Sequence, residues 1–116
     1  MILVDTALQA RAAQGRPIRV ATMGAGFMAQ GLTNMIVNSV PGMRMVAISN
    51  RRVERARQVF QYAGVSEIVT AGNQGQLEDA IQSGKVAITD DAFLLARSGQ
   101  VDVIVDTTGS VEYGAR

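Results

Sequence analysis

Short apolar segments alternate with amphipathic segments along most of the chain. The segment "IRVATM", Ile18 to Met23, is apolar and rich in β-branched residues, which predicts a buried strand. "MRMVAIS", Met43 to Ser49, predicts a second strand, and "VDVIVDTTG", Val101 to Gly109, predicts the last one. Two shorter strands are predicted at Glu67 to Thr70 and within "KVAITDD".

The segments between these strands carry helical patterns. Alanine, leucine and glutamine from about Leu3 to Gln14 favour an N-terminal helix that Gly15 and Pro17 end. Further along the chain, a helix is predicted around Leu77 to Gln82, and another would begin with Thr89 or Asp90 as its cap. The first two helices after the N-terminal one have apolar faces at helical spacing, formed by Met28, Leu32, Met35 and Ile36 and then by Val53, Ala56, Val59, Phe60 and Ala63.

Strands that alternate with helices indicate βαβ units and a parallel sheet. The predicted fold class is therefore α/β, a Rossmann-type parallel sheet with flanking helices, in one domain over residues 1–116. The sheet is expected to be incomplete at the C-terminus, because Arg116 falls where a helix after the last strand should begin. Apolar sheet surface should then be exposed, which favours self-association.

Composition narrows the classes of function. The formal net charge is +1, so no strong field favours nucleic acid or an anionic membrane. Cysteine and histidine are absent, which excludes disulfides, a thiolate nucleophile, a histidine base and a Cys/His zinc site. Neither a secretory signal nor a run of about 18 apolar residues is present, so we expect a soluble, cytoplasmic protein.

The glycine-rich stretch after the first strand carries the most specific chemistry. Residues 24 to 29 read G-x-G-x-x-A between a predicted strand and a predicted helix. Gly24 would allow the tight turn, Gly26 would leave room for a pyrophosphate, and Ala29 would let the helix pack closely. Amides that open the helix would bind the phosphates. The pattern predicts a dinucleotide site at Gly24, Ala25, Gly26, Phe27 and Met28; the alternative is a plain turn.

The residues after the second strand bear on the choice of cofactor. A fold that prefers NAD usually has an acid there for the ribose 2′-hydroxyl, whereas this chain has Asn50, followed by Arg51 and Arg52. An arginine can bind a 2′-phosphate through its planar fork. The sequence therefore predicts NADP(H) over NAD(H), with Arg51 the first candidate and Arg52 the second. The alternative is a solvated first helical turn.

Polar residues follow the last strand as well. Thr107, Thr108 and Gly109 are candidates for contact with the cofactor, because ligands of doubly wound sheets lie beyond the carboxyl ends of the strands. The alternative is a polar strand end with a helix cap at Thr108 or Ser110. Asp90 and Asp91 are interpreted as capping residues, and no catalytic or metal-binding residue is predicted.

The stretches "IRVATMGAGFMAQGLTNMIVNSVPGMRMVAISNRR" and "TDDAFLLARSGQVDVIVDTTGSVEYGAR" resemble a bacterial family. These are homoserine-dehydrogenase-like NAD(P)-binding oxidoreductases with a C-terminal SAF domain, which include deoxyxylulose-phosphate-reductoisomerase-like enzymes. The resemblance covers the N-terminal part of that longer architecture. Where the family pattern often has glycine, this chain has Ala29, a residue that NADP-type loops tolerate.

The resemblance implies a cofactor site at Gly24, Gly26, Arg51 and the turn 107–109, with substrate and catalytic groups in a later domain. It implies hydride transfer, coupled in the reductoisomerase-like enzymes to isomerisation of a sugar phosphate. The isolated chain is expected to bind cofactor without catalysis. Two alternatives stay open: an oxidoreductase of the homoserine dehydrogenase type, and a nucleotide-binding regulatory module that acts with a partner chain.

Overall fold

The computed structural model describes residues 17–40 and 42–107. The predicted N-terminal helix and the candidate site residues Thr108 and Gly109 lie outside these residues. The described strands are β1 (Ile18–Met23), β2 (Met43–Ser49), β3 (Ile68–Thr70), β4 (Val86–Thr89) and β5 (Val103–Asp106). The described helices are α1 (Phe27–Ser39), α2 (Val53–Tyr62), α3 (Gln74–Gln82) and α4 (Ala92–Ala96).

The five described strands form one sheet in the order β3-β4-β2-β1-β5, and every pairing between them is parallel. The first crossover leads from β1 to β2 on one side, whereas β5 pairs with the other side of β1. Neighbours of β1 on its two sides thus come from different parts of the chain. The predicted α/β class with a Rossmann-like parallel sheet is confirmed.

The core lies on both faces of this sheet, because successive residues of a strand point to opposite sides. Val20 belongs to one buried cluster, and its neighbour Ala21 belongs to the other. The first cluster includes Ile36 of α1 and Phe60 of α2. The second cluster includes members of α3 and α4: Leu77, Ala80, Ile81, Leu94 and Leu95. Helices therefore cover both faces, which leaves the strand ends as the open surface.

The orientation of α1 differs from the prediction. Ala29, Thr33 and Ile36 are its buried residues, whereas Met28 is 65% exposed and Met35 is 41% exposed. The predicted face of Met28, Leu32, Met35 and Ile36 is therefore wrong in half of its members. Helices approach a sheet most closely where side chains are small, so an alanine and a threonine take positions that periodicity of large apolar residues assigns elsewhere.

The N-cap of α4 is one of the two aspartates interpreted as caps. The side chain of Asp91 accepts from the amide of Phe93 at 2.9 Å, so Asp91 is confirmed as a cap, whereas neither Thr89 nor Asp90 is the N-cap. The hydroxyl oxygen of Thr89 instead accepts from the Asp91 amide at 3.2 Å, which begins the turn one residue earlier. Asp90 is exposed and directly follows the carboxyl end of β4.

Of the two strands that pair with β1, β5 is less buried than β2. Val103 is 38% exposed, and Ile104 and Val105 are half-buried, whereas β2 is buried at almost every position. β5 therefore presents partly open apolar surface. In the described part of the chain, no helix has the length and apolar character needed to cross a membrane.

Candidate functional site

A tight glycine turn joins β1 to α1. Gly24 has φ of +105°, a conformation that residues with a side chain rarely adopt. A Cβ added there would lie 3.0 Å from the hydroxyl oxygen of Thr107 and 3.1 Å from its carbonyl group. The Gly24 amide donates to the carbonyl of Ser49 at 2.7 Å. Glycine is therefore required at position 24 for both conformation and space, and the turn is held between the ends of β2 and β5.

Gly26 has a different surrounding. A Cβ built on it meets nothing within 4 Å, so the absence of a side chain leaves open space above the turn. Gly26 is the N-cap of α1, and its φ of −87° is accessible to any residue. Within residues 17–40 and 42–107, no side-chain cap is seen for this helix, and its first turn contains no acid. The amides that open α1 are thus left for an external acceptor at the positive end of a 13-residue helix.

The turn forms the floor of a cleft of about 520 Å³, which we call the large cleft. It lies at the carboxyl ends of the central strands, beside the point where the neighbours of β1 diverge in chain order, and this is where ligands of doubly wound sheets bind. The residues that line it are Met23, Gly24, Ala25, Gly26, Ser49, Asn50, Arg51, Arg55, Asp90, Ala92 and Thr107. Five predicted site residues in addition to Gly24 are thus brought together.

Asn50 is fixed at the end of β2. Its backbone amide donates to the carbonyl of Thr89 at 2.9 Å, and its side-chain amide donates to the carbonyl of Arg52 at 2.9 Å. The nitrogen of the half-buried side chain is therefore hydrogen-bonded within the chain, and its carbonyl oxygen stays available as an acceptor. An uncharged acceptor here can take a hydroxyl hydrogen bond and does not repel a phosphate.

The arginines around α2 divide into separate groups. Arg51 and Arg55 are exposed and line the large cleft, and among the described residues neither pairs with an acid. Arg52 lines neither this cleft nor the smaller one described next. Arg57 pairs with Glu54 at 3.4 Å and donates to the hydroxyl of Thr70 at 2.9 Å. Two guanidinium groups thus stay available for an anion in the cleft.

A second cleft of about 210 Å³ lies between the N-terminal part of α1 and α2, and we call it the small cleft. Ala25, Gly26 and Arg55 line both clefts, so the two are adjacent at the glycine turn. The small cleft is completed by Phe27, Gln30, Gln58 and Val59. The predicted site residue Phe27 therefore faces the small cleft, where it is 89% exposed, and Met28 lines neither cleft.

Thr107 is the described member of the predicted turn after β5. Its backbone amide donates to the carbonyl of Met23 at 2.8 Å, and its hydroxyl donates to the same carbonyl at 3.0 Å. The residue lines the large cleft, yet its hydroxyl is engaged with β1 rather than directed to a ligand. Thr107 therefore closes the site by holding the end of β5 against the glycine turn.

Two charged residues of the cleft were not singled out as ligand contacts from the sequence. Arg55 lies in the first turn of α2, whereas Arg51 precedes the N-cap of that helix. The usable signal was its place in the helix that directly follows the end of β2. Asp90 follows β4, and the same reasoning that placed Asn50 after β2 applies to it. Because Asp90 was interpreted as a helix cap, it was not predicted as a residue of the cleft.

The described residues fit a bound dinucleotide. The open space over Gly26 would be closed by any side chain, and it lies in front of the uncapped amides of α1. These features together form a cradle for a pyrophosphate. A neutral acceptor and two arginines lie at the side of the cleft where an adenosine ribose would follow. A scan against protein-family models found no match, and a search of curated proteins found none either.

Proposed function

We propose that this chain is the NADP(H)-binding domain of an oxidoreductase. The observation that carries the proposal is the glycine turn, Gly24 to Gly26, which leads into the uncapped N-terminus of α1. This turn lies at the end of β1, whose two neighbouring strands come from different parts of the chain. Amides of α1 would hold the pyrophosphate, and the oxygen of Asn50 would accept from the adenosine ribose.

The preference for a 2′-phosphate rests on charge. NAD-binding sites commonly offer an acid to the ribose 2′-hydroxyl, and that acid repels a phosphate. Here the position holds Asn50, and Arg51 and Arg55 lie in the same cleft without acidic partners among the described residues. Guanidinium groups pair well with phosphate oxygens. These charges favour NADP(H) over NAD(H).

The reaction of the whole protein is proposed from the sequence resemblance. When bound, the nicotinamide supplies or accepts a hydride. The chain's own contribution is to bind the cofactor and to orient it over the carboxyl ends of β1 and β5. The resemblance puts catalytic groups in a later domain, with reductoisomerase-like chemistry first and the homoserine dehydrogenase type as the alternative. We therefore expect binding without turnover by residues 1–116.

Titration of the chain with NADPH and NADH, followed by nicotinamide fluorescence, tests this proposal. NADPH should bind at least tenfold more tightly, since a charge-assisted hydrogen bond contributes about 1.5–3 kcal/mol. Asn50→Asp should remove most of that preference, because the new carboxylate repels the 2′-phosphate and suits a free hydroxyl. Arg97→Asp, which changes charge away from both clefts, is the control. Absence of binding by both cofactors would overturn the proposal.

A further inference from the structure

The small cleft raises a question that the large cleft does not answer: which of them receives the phosphate of NADP(H)? The large cleft contains an acid, Asp90, as well as the two arginines. The small cleft contains Arg55 and the side-chain amides of Gln30 and Gln58, and no acid lines it. A doubly charged phosphate is favoured by the second set and repelled by part of the first.

Connectivity agrees with this distribution of charge. The two clefts share Ala25, Gly26 and Arg55, so a group that projects from a ribose over the glycine turn would lie beside the small cleft and within reach of Arg55. The floor between the clefts is Gly26, where nothing lies within 4 Å of a built Cβ. Arg55 is the charged side chain at this junction.

The availability of the arginines points the same way. Arg55 lines both clefts, whereas Arg51 lines only the large one. The guanidinium of Arg57, two residues after Arg55, is held by Glu54 and Thr70. Asp90 in the large cleft is suited to accept from an amino group, as an adenine ring offers, and Arg51 can stack on such a ring.

We infer that the small cleft between α1 and α2 is the subsite for the 2′-phosphate and that Arg55, rather than Arg51, determines the preference for NADP(H). Gln58 and Gln30 donate the remaining hydrogen bonds to the phosphate oxygens. The inference rests on the proposed function, because it assigns one part of the same bound cofactor. It differs from the sequence prediction, which put Arg51 first and Arg52 second.

Two substitutions test the subsite through the ratio of the dissociation constants for NADH and NADPH. Arg55→Gln should lower that ratio by about 10-fold to 100-fold, with NADH binding changed by less than about twofold, because the lost contact reaches only the phosphate. Arg51→Gln should weaken both cofactors to a similar extent. Arg97→Gln is the matched loss of one exposed arginine outside both clefts.

Gln58→Glu places a carboxylate in the small cleft without removing any arginine. It should weaken NADPH at least tenfold and leave NADH within about twofold, since like charges in one pocket repel. Gln61→Glu, on an exposed position of α2 that lines neither cleft, is its control and should change neither affinity. Both positions are exposed, so the variants should fold.

The outcomes separate this inference from the proposed function. If Arg51→Gln alone abolishes the preference for NADPH and Gln58→Glu has no effect, the phosphate lies in the large cleft and the inference is wrong, while the proposed function stands. If the unmodified chain binds neither cofactor, both are wrong. A loss of NADPH preference in Arg55→Gln and Gln58→Glu, with the two controls unchanged, supports both.

Discussion

The two glycines of the turn have opposite physical requirements. Position 24 needs glycine for the fold, since its φ is +105° and Thr107 lies 3.0–3.1 Å from a built Cβ. Position 26 needs none for the fold, because its φ is ordinary and its surroundings are open. The open backbone at position 26 supports the proposed position of the pyrophosphate, which would approach the chain there.

Gly24→Ala should therefore destabilise the chain. The combined strain of a positive φ and a contact with the backbone of Thr107 is expected to lower the free energy of unfolding by roughly 1–3 kcal/mol. Urea unfolding followed by circular dichroism measures this change. Gly64→Ala, where φ is +94° but nothing lies within 4 Å, separates conformational strain from the clash. Equal losses in the two variants would show that Thr107 does not restrict the turn.

The helices of the sheet differ in how their N-termini are satisfied. Asn73 caps α3 by accepting from the amide of Gln76 at 2.9 Å, and Asp91 caps α4 in the same way. α1 and α2 begin without a side-chain cap from their N-cap residues, Gly26 and Arg52. A polar capping residue stabilises a helix relative to a glycine N-cap by only a few tenths of a kcal/mol, so glycine at position 26 costs the fold little.

Gly26→Ser should stabilise the fold slightly and weaken cofactor binding. A serine hydroxyl can accept from the free amides of α1, which is expected to raise the free energy of unfolding by a few tenths of a kcal/mol relative to glycine. The same side chain would fill the space over the turn, so NADPH and NADH binding should both fall by at least tenfold. Asn73→Ala, which removes the cap of α3, should cost about 1 kcal/mol and leave cofactor affinity unchanged. Undiminished binding by Gly26→Ser would contradict the position assigned to the pyrophosphate.

The predictability of each element follows from what determines its bounds. β1 and β2 were predicted with the bounds they have, because both lie inside the sheet and their apolar runs end where burial ends. β5 was predicted from Val101 but begins at Val103, although Asp102 stays beside β1: its amide donates to the carbonyl of Arg19 at 2.9 Å, and its carboxylate pairs with the Arg19 guanidinium at 3.1 Å. Such a long-range ion pair leaves no mark on local periodicity.

The candidate site shows the same division. Position in the chain was enough to find Gly24, Gly26, Asn50 and Arg51, because each directly follows a strand. Arg55 needed the helix itself, because the first turn of α2 brings its third residue to the cleft at the strand ends. Met28 was assigned to the site by adjacency alone, yet the turn of α1 points it away from both clefts.

At the scale of the whole molecule, the site and the core share one strand. β1 lies between β2 and β5, with Val20 and Ala21 fully buried on opposite faces, and the glycine turn continues directly from it. The turn is tied to β2 through Ser49 and to β5 through Thr107. β5 pairs with β1 and is partly exposed, so these contacts also help to hold the outer strand.

Cofactor binding should consequently stabilise the entire fold. NADP+ at 100 times its dissociation constant is expected to raise the free energy of unfolding by about 2.7 kcal/mol. For a domain of this size, that corresponds to an increase in Tm of roughly 10 °C, measured by differential scanning calorimetry. Arg55→Gln at the same NADP+ concentration should retain about half of the increase for a tenfold loss of affinity and about a sixth for a 100-fold loss. An equal increase with inorganic phosphate in place of NADP+ would indicate generic anion binding at α1 and would contradict a site formed jointly by the glycine turn, Asn50 and α2.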